Sequence, residues 1–264
     1  MELNNTSLDT LCGALAYGMG IEPPKEAAEK NETLSAYLDE KLQGEKLDRL
    51  FMYNPDAIGQ WVFEKYPHLM KEVTERTELQ VPFCTVMPSV TPVCFATMYT
   101  GVQPEVHGIR KYQKPVLTQE TLFDTLIKAG KKVAILASPA CSIGMIFLER
   151  ELDYFLFKTY EEINAKAAEL ILKDEYDVIV VYNGNYDSVM HKKGPESIEA
   201  LGELRCNSRT FGTFERLIAE HWQNHRTLLG FAMDHGCHEI DDDCGSHGLD
   251  MPEDLNITHF YKVL

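Results

Sequence analysis

Two rhythms of apolar residues alternate along the chain. Short β-like runs fall at 47–53, 79–84, 132–137, 177–182 and 226–233, of which 177–182 is almost unbroken in its apolar content and 132–137 reads as a buried strand. Between them, apolar positions fall three and four apart, the spacing of helices with one face in a core. Residues 6–20 and 25–43 read as two helices joined through Pro23-Pro24, the first carrying Leu8, Leu11, Leu15 and Tyr17. A helical stretch follows the run at 47–53 and continues to Val73. Thr91-Pro92 opens another helix that stops near Thr100-Gly101, and 119–129, 160–173 and 196–221 complete the set. Strands alternating with helices predict an α/β fold, a mostly parallel sheet covered on both faces. No repeat or long linker interrupts it, so residues 1–46 read as an N-terminal helical extension and 47–264 as one α/β domain.

Composition narrows what such a domain can meet. Asp and Glu number 41 against 25 Lys and Arg, a formal charge of -16, which argues against nucleic-acid polymers and anionic membranes as partners. A small anionic substrate stays open, because bound divalent cations reverse the local field. The first ten residues lack the basic-then-apolar order of a secretory signal, and no apolar run approaches the ~20 residues that span a bilayer. The seven cysteines are odd in number and form no C-x-x-C pair; scattered thiols point to a reducing cytoplasm. No oligomeric state follows from any of this.

Candidate chemistry collects where strands end. Asp56, Asp187 and Asp234 each follow an apolar run, and open parallel sheets bind ligands at the carboxyl ends of their strands. Taken singly, an Asp there is as readily a loop or cap residue. Histidines strengthen the pattern. Asp187 and His191 stand four apart, on one face of a helical turn. Asp234-His235-Gly236 gives two adjacent donors as the chain leaves a strand, and Gly245-Ser246-His247-Gly248 puts an imidazole in a glycine-flanked turn. Three carboxylates and three imidazoles, without thiolate, form a donor set suited to zinc, manganese or a related divalent ion. Thr91 reads first as a helix N-cap, with Pro92 at the first helical position. A hydroxyl at that positive helix end also suits a phosphate or an alkoxide, and a nearby metal would activate it as a nucleophile.

These motifs together resemble the type I phosphodiesterase and nucleotide pyrophosphatase branch of the alkaline phosphatase superfamily, with phosphonoacetate hydrolase a close cousin. Pro88-Ser89-Val90-Thr91 through Tyr99-Thr100-Gly101, then Glu105-Val106-His107-Gly108-Ile109, looks like the nucleophile helix and its trailing turn. Asp187 to Pro195, Asp234-His235-Gly236 and Gly245 to Gly248 match the later motifs in order, and the matches span 47–250. The resemblance implies an alkaline phosphatase-like three-layer α/β/α sandwich and two divalent metal ions, zinc foremost and manganese as the alternative. One ion would be held by Asp187, His191 and His247, the other by Asp56, Asp234, His235 and the Thr91 oxygen. It implies hydrolysis of phosphodiester or pyrophosphate bonds in a small anionic phosphorus-containing substrate, through a covalent phospho-threonine. The alternatives are a phosphonate or phosphomonoester hydrolase on the same scaffold, and a catalytically degenerate member that binds metal and ligand without turnover.

The chain departs from the family pattern in three places. Cys94, a weak donor, stands where Asn often follows the nucleophile by three. Asp56-Ala57-Ile58-Gly59 replaces the usual Asp-Gly. Only 11 residues separate His235 from His247, where relatives insert a long excursion, so the substrate-covering cap is expected to be small or missing. Elsewhere the ordinary readings prevail. His107 packs a turn, His221 and His225 are surface or cap residues, Asp241-Asp242-Asp243 is a solvated loop, Cys237 and Cys244 are free thiols, and Lys111 and Lys114 are surface lysines. No C/S-x-P-x-R motif of a sulfatase occurs.

Overall fold

The computed structural model describes residues 1–240 and 244–264. Along the chain come α1 (Thr10–Met19), α2 (Glu32–Leu42), β1 (Arg49–Pro55), α3 (Gln60–Lys65), α4 (Lys71–Thr74), β2 (Leu79–Cys84), α5 (Thr91–Thr100) and α6 (Pro104–His107). Then follow α7 (Leu122–Lys128), β3 (Val133–Ala137), α8 (Ser142–Ile146), β4 (Asp153–Leu156), α9 (Tyr160–Lys173), β5 (Val178–Asn183), α10 (Asn185–Lys193) and α11 (Ile198–His221). The chain closes with β6 (Thr227–Phe231), a hairpin of β7 (His238–Ile240) and β8 (Cys244–Ser246), α12 (Pro252–Leu255) and β9 (Asn256–Val263).

Seven strands form one sheet in the order β2-β9-β6-β1-β5-β3-β4. Pairing is parallel from β6 to β4, and β9 alone runs against its neighbours. This is the mostly parallel α/β sheet of an alkaline phosphatase-like sandwich. Helices on both faces leave no solvent side for the central strands, so all six residues of Val-Ile-Val-Val-Tyr-Asn in β5 are buried. In register, Tyr53 of β1 faces Val181 of β5 on one side and Phe231 of β6 on the other. The carboxyl ends of these three strands therefore lie abreast, and the segments carrying Asp56, Asp187 and Asp234 emerge side by side.

The first 46 residues do not stand apart from this core. Thr6 and Leu8 bond the backbone of Cys84 at 2.7 and 3.1 Å, extending the edge beside β2. Leu8, Leu11, Cys12 and Leu15 belong to the same buried cluster as the sheet. Gly101, at φ 74, ends α5 with Cys12 and Ala27 so near that a Cβ there would lie 2.9 and 2.7 Å from theirs, and its carbonyl accepts from the Ala28 amide at 2.7 Å. The extension thus packs directly on the helix that begins with Thr91.

Several elements differ from expectation for local reasons. The helical stretch to Val73 breaks into α3, a single turn at Pro67–Leu69 and α4, because Pro67 removes a helical donor. The helix at 119–129 contracts to α7, where Thr121 and Asp124 close a capping box. β4, β9 and the hairpin were not foreseen: β4 is a half-exposed edge of four residues, and β9 interleaves Thr258, His259 and Lys262 with its apolar positions. The expected solvated loop at Asp241-Asp242-Asp243 lies outside the described residues. No helix among the described residues is long and apolar enough to cross a membrane.

Candidate metal centre and nucleophile

Six of the seven candidate residues form two triads, and the seventh touches one of them. Ligand atoms of Asp56, Asp234 and His235 lie within 4.8 Å of one another, as do those of Asp187, His191 and His247. In the first triad His235 Nε2 is 3.4 Å from Asp56 Oδ1 and 3.3 Å from Asp234 Oδ2. In the second, Asp187 Oδ1 is 3.2 Å from His191 Nε2 and 3.4 Å from His247 Nε2. The His235 and His247 rings lie 4.1 Å apart between centroids, so the triads adjoin. Thr91 Oγ1 sits 3.3 Å from His235 Nε2 and 3.4 Å from Asp56 Oδ2.

Hydrogen bonding behind the imidazoles decides what they present to the centre. Nδ1 of His191, His235 and His247 each lies 2.9 Å from a backbone carbonyl, of Gly245, Gly236 and Ser89 respectively. A carbonyl only accepts, so each Nδ1 carries the proton and each Nε2 turns a lone pair inward. Opposite them, Asp56 Oδ1, Asp187 Oδ1 and Asp234 Oδ2 are buried without a hydrogen-bond partner. Lone pairs facing unpartnered carboxylate oxygens at 3.2–3.4 Å leave an electrostatic deficit that divalent cations would fill. The residues present therefore fit a pair of N/O-ligated ions.

Titration of the cation-free cluster reflects the same crowding. Burial, reinforced by the Asp187 charge, pushes the Asp56 carboxyl up to about 7. Burial and the neighbouring Asp56 raise Asp234 well above the usual carboxylate range. Burial also opposes ionisation of Asp187, but without a cation the His191 and His247 imidazoles, both raised, take up a proton at Nε2 and donate it, which outweighs burial and holds the Asp187 carboxyl below that range. Burial and the proximity of His247 keep His235 neutral, well below an ordinary imidazole.

Thr91 does not cap its helix. The helix begins at Thr91 itself, Val90 is the cap residue, and no side-chain cap bond forms. The hydroxyl is turned instead toward Asp56 and His235, which corrects the capping expectation and leaves the oxygen facing the carboxylates. Ala57, just after Asp56, takes φ 63, a left-handed conformation that costs an L residue about 1–2 kcal/mol. It is held there while its amide donates to Asp234 Oδ1 at 3.3 Å.

One contact escaped sequence reasoning. The Tyr182 hydroxyl donates to Asp56 Oδ2, leaving Oδ1 as the free oxygen. Its signal was a polar-tipped residue near the end of an otherwise apolar strand. Cys94, at the position expected to bear a donor, is fully buried against Thr85 and the Val86 backbone.

The remaining titratable residues lie elsewhere. His107 bonds Thr97 Oγ1 at 3.0 Å and accepts from the Ile109 amide at 3.2 Å, and burial lowers it to about 4. His225 was expected at the surface or as a cap; it bridges Asp48 and Asp174 at 3.1 and 2.9 Å. His221 ends α11. Lys114 donates to the Ala140 carbonyl at 2.8 Å. Cys237 and Cys244 are free thiols.

The chain is also similar to known proteins. Residues 53–258 match the family described as type I phosphodiesterase / nucleotide pyrophosphatase, a span that holds all seven candidate residues and leaves out α1 and α2. No curated protein matches the chain. Among solved structures, murine ectonucleotide pyrophosphatase / phosphodiesterase 5 is similar with a TM-score of 0.58 and 16% identity, over 74% of this chain and 58% of that one. The human counterpart gives 0.59 and 16%, over 73% and 58%. An inactive threonine-to-alanine variant of the murine protein in complex with AMP gives 0.58 and 16%, over 74% and 59%. At that identity the likeness is one of fold, and this chain spans less than two thirds of those proteins' length.

Proposed function

The chain belongs to the type I phosphodiesterase / nucleotide pyrophosphatase family, and we propose that it is a two-metal hydrolase of phosphodiester or pyrophosphate bonds that uses Thr91 as its nucleophile. The observation that carries this reading is the position of Thr91 Oγ1, 3.3 Å from His235 Nε2 and 3.4 Å from Asp56 Oδ2. A threonine packed for stability alone would have little reason to face two prospective metal ligands. The inactive threonine-to-alanine variant of the murine relative, in complex with AMP, supports a nucleophilic threonine and a small phosphorus-containing substrate.

Asp56, Asp234 and His235 would hold one ion beside Thr91, and Asp187, His191 and His247 the other, zinc being first choice for this donor set. When bound, such a pair supplies charge that activates the nucleophile and stabilises the leaving oxygen. The protein's own part is placement. Tyr182 fixes the Asp56 carboxylate through Oδ2, and the three backbone carbonyls fix the imidazoles. As the Thr91 Oγ–P bond forms, the hydroxyl gives up its proton and the bond from phosphorus to the leaving oxygen breaks in line, the proton passing to that oxygen or to solvent. Water then cleaves the phospho-threonine and restores the hydroxyl. With only 11 residues between His235 and His247, this connection is too short to carry a large substrate-covering cap. Seven free thiols support a reducing compartment for the protein.

Thr91→Ala tests the reading. Turnover of a diester should fall at least about 10³-fold, while stability moves by less than about 1 kcal/mol because no cap bond is lost. Elemental analysis should still give two zinc equivalents, and acid-quenched wild-type protein should carry a phosphoryl group on the Thr91 peptide. A folded, metal-loaded Thr91→Ala protein that turns over near the wild-type rate would end the nucleophile assignment. Parallel assays on monoester and phosphonate substrates decide among the leaving groups.

A further inference from the structure

We propose that Asp254 is a positioning residue that registers the two triads against each other. It lies in α12, is fully buried, and makes three contacts that reach both ligand-bearing loops. Its carbonyl accepts from the Gly236 amide at 2.8 Å, one residue beyond His235. Its Oδ1 accepts from His238 Nδ1 at 2.8 Å, fixing the far end of the same loop. Its Oδ2 accepts from the Leu249 amide at 2.8 Å, two residues beyond His247. One side chain thus bonds the loop of the buried triad through one oxygen and the loop of the open triad through the other.

The surroundings leave this joint no slack. A Cβ at Gly236 would lie 2.0 Å from the Glu253 carbonyl, and one at Gly59 would lie 2.8 Å from it. The start of α12 is therefore pressed against both the His235 loop and the loop after Asp56. The hairpin pairs His238 with Ser246, which brings the two loops to one place, and Asp254 bolts them there. A carboxylate suits the task because it accepts from two donors at once. Without it, the buried His238 Nδ1–H and the partly buried Leu249 amide would lose their acceptors, and such groups cost free energy until the loops move. Residues behind metal ligands typically change metal affinity 10–100-fold when removed.

This inference rests on the two-metal reading, and its test is arranged so that the two fail separately. Zinc affinity is measured by competition with a chromophoric chelator on wild-type, Asp254→Ala and Asp254→Asn proteins. In Asp254→Ala both equivalents should weaken together by at least about tenfold. Asp254→Asn should recover most of that loss, since its carbonyl oxygen can accept from Leu249 while its amide donates to the other tautomer of His238. A folded Asp254→Ala protein that keeps wild-type affinity for either ion overturns the proposal, as does a folded Asp254→Asn protein no tighter than Asp254→Ala. Wild-type protein supplies an independent check through hydrogen exchange. After correction for intrinsic rates, the Gly236 and Leu249 amides should exchange within about threefold of each other, because one opening frees both. Rates differing by more than about tenfold would show that the loops open separately and would overturn the clamp, even if the variants fail to fold. If wild-type protein binds fewer than two equivalents, the two-metal reading falls, and exchange in the metal-free protein still decides the clamp.

Discussion

Asp56, Asp234 and His235 are sealed from solvent, at 0–1% side-chain exposure, whereas His191 in the other triad exposes 41% and Asp187 20%. The two triads hold the same kinds of donor in opposite proportion, two carboxylates and one imidazole in the buried triad against one carboxylate and two imidazoles in the open one, on different supports. The buried triad hangs directly from the ends of β1 and β6, so the sheet that forms the core also fixes its geometry. The open triad is assembled from one turn of α10 and the end of the β7–β8 hairpin, elements outside the sheet. Its carboxylate is stabilised by neighbouring imidazoles, while the carboxylates of the buried triad are destabilised by burial. The difference predicts a buried triad that is rigid at the expense of stability and an open triad that would exchange its ion more readily.

The sharpest way to break this asymmetry is to remove one ligand from each side. Asp234→Ala should abolish tight binding beside Thr91 and lower turnover at least about 10³-fold. His191→Ala should leave the ion of the buried triad in place and lower turnover less, by about 10²-fold. Elemental analysis after desalting, together with diester turnover, checks both. Equal losses from the two variants would mean that the triads act as one site.

A smaller effect should appear without metal. The Asp56 carboxyl titrates near 7 in the fold and near 3.9 when unfolded. Above pH ~4 the unfolded chain releases this proton and the folded protein holds it until about pH 7, so stability is lost as pH rises through that window. Asp56→Asn removes the penalty. In metal-free protein it should be more stable than wild type by up to roughly 3–4 kcal/mol at pH 7, with the gap closing toward pH 4. His191→Gln in the open triad should change stability by less than about 0.5 kcal/mol. Urea titrations at both pH values measure this. A gap that stays constant from pH 4 to 7 would show that Asp56 is ionised in the fold.

What was legible in the sequence follows the same division. The strands β1, β5 and β6 were readable because a sheet buried on both faces requires continuous apolar runs, and the motifs that leave those strands were readable with them. Asp187 and His191 were readable as a helical turn, although all of α10 was not. The hairpin joining His235 to His247 was not, because strands of three residues carry too little periodicity. Nor was the Tyr182 contact, which depends on β5 lying beside β1, a pairing that no local pattern encodes. Only the capping role of Thr91 does not hold: Thr-Pro at a helix start has a strong local meaning, but here Val90 is the cap residue and the hydroxyl faces Asp56 and His235.

The smallest effect concerns the one strained residue beside the buried triad. Ala57 at φ 63 holds a conformation that glycine would adopt without the penalty of about 1–2 kcal/mol. Ala57→Gly relieves that strain, yet it also removes a fully buried methyl worth about 0.8 kcal/mol. It further adds unfolded-chain freedom worth about 0.4–1 kcal/mol. These terms nearly cancel, so the denaturation midpoint should correspond to a change of less than about 1 kcal/mol in either direction. The bond from its amide to Asp234 Oδ1 is a backbone bond and survives the change, so zinc stoichiometry should stay at two. Ala57→Val discriminates further. A branched side chain is poorly tolerated in the left-handed region, and this position is fully buried, so the segment should shift and carry Asp56 with it. Ala57→Val should then lose the ion beside Thr91 while the open triad keeps its own. If Ala57→Val instead binds both ions normally, the buried triad is not held by the backbone at β1's end, and the rigidity ascribed to it belongs to the metal.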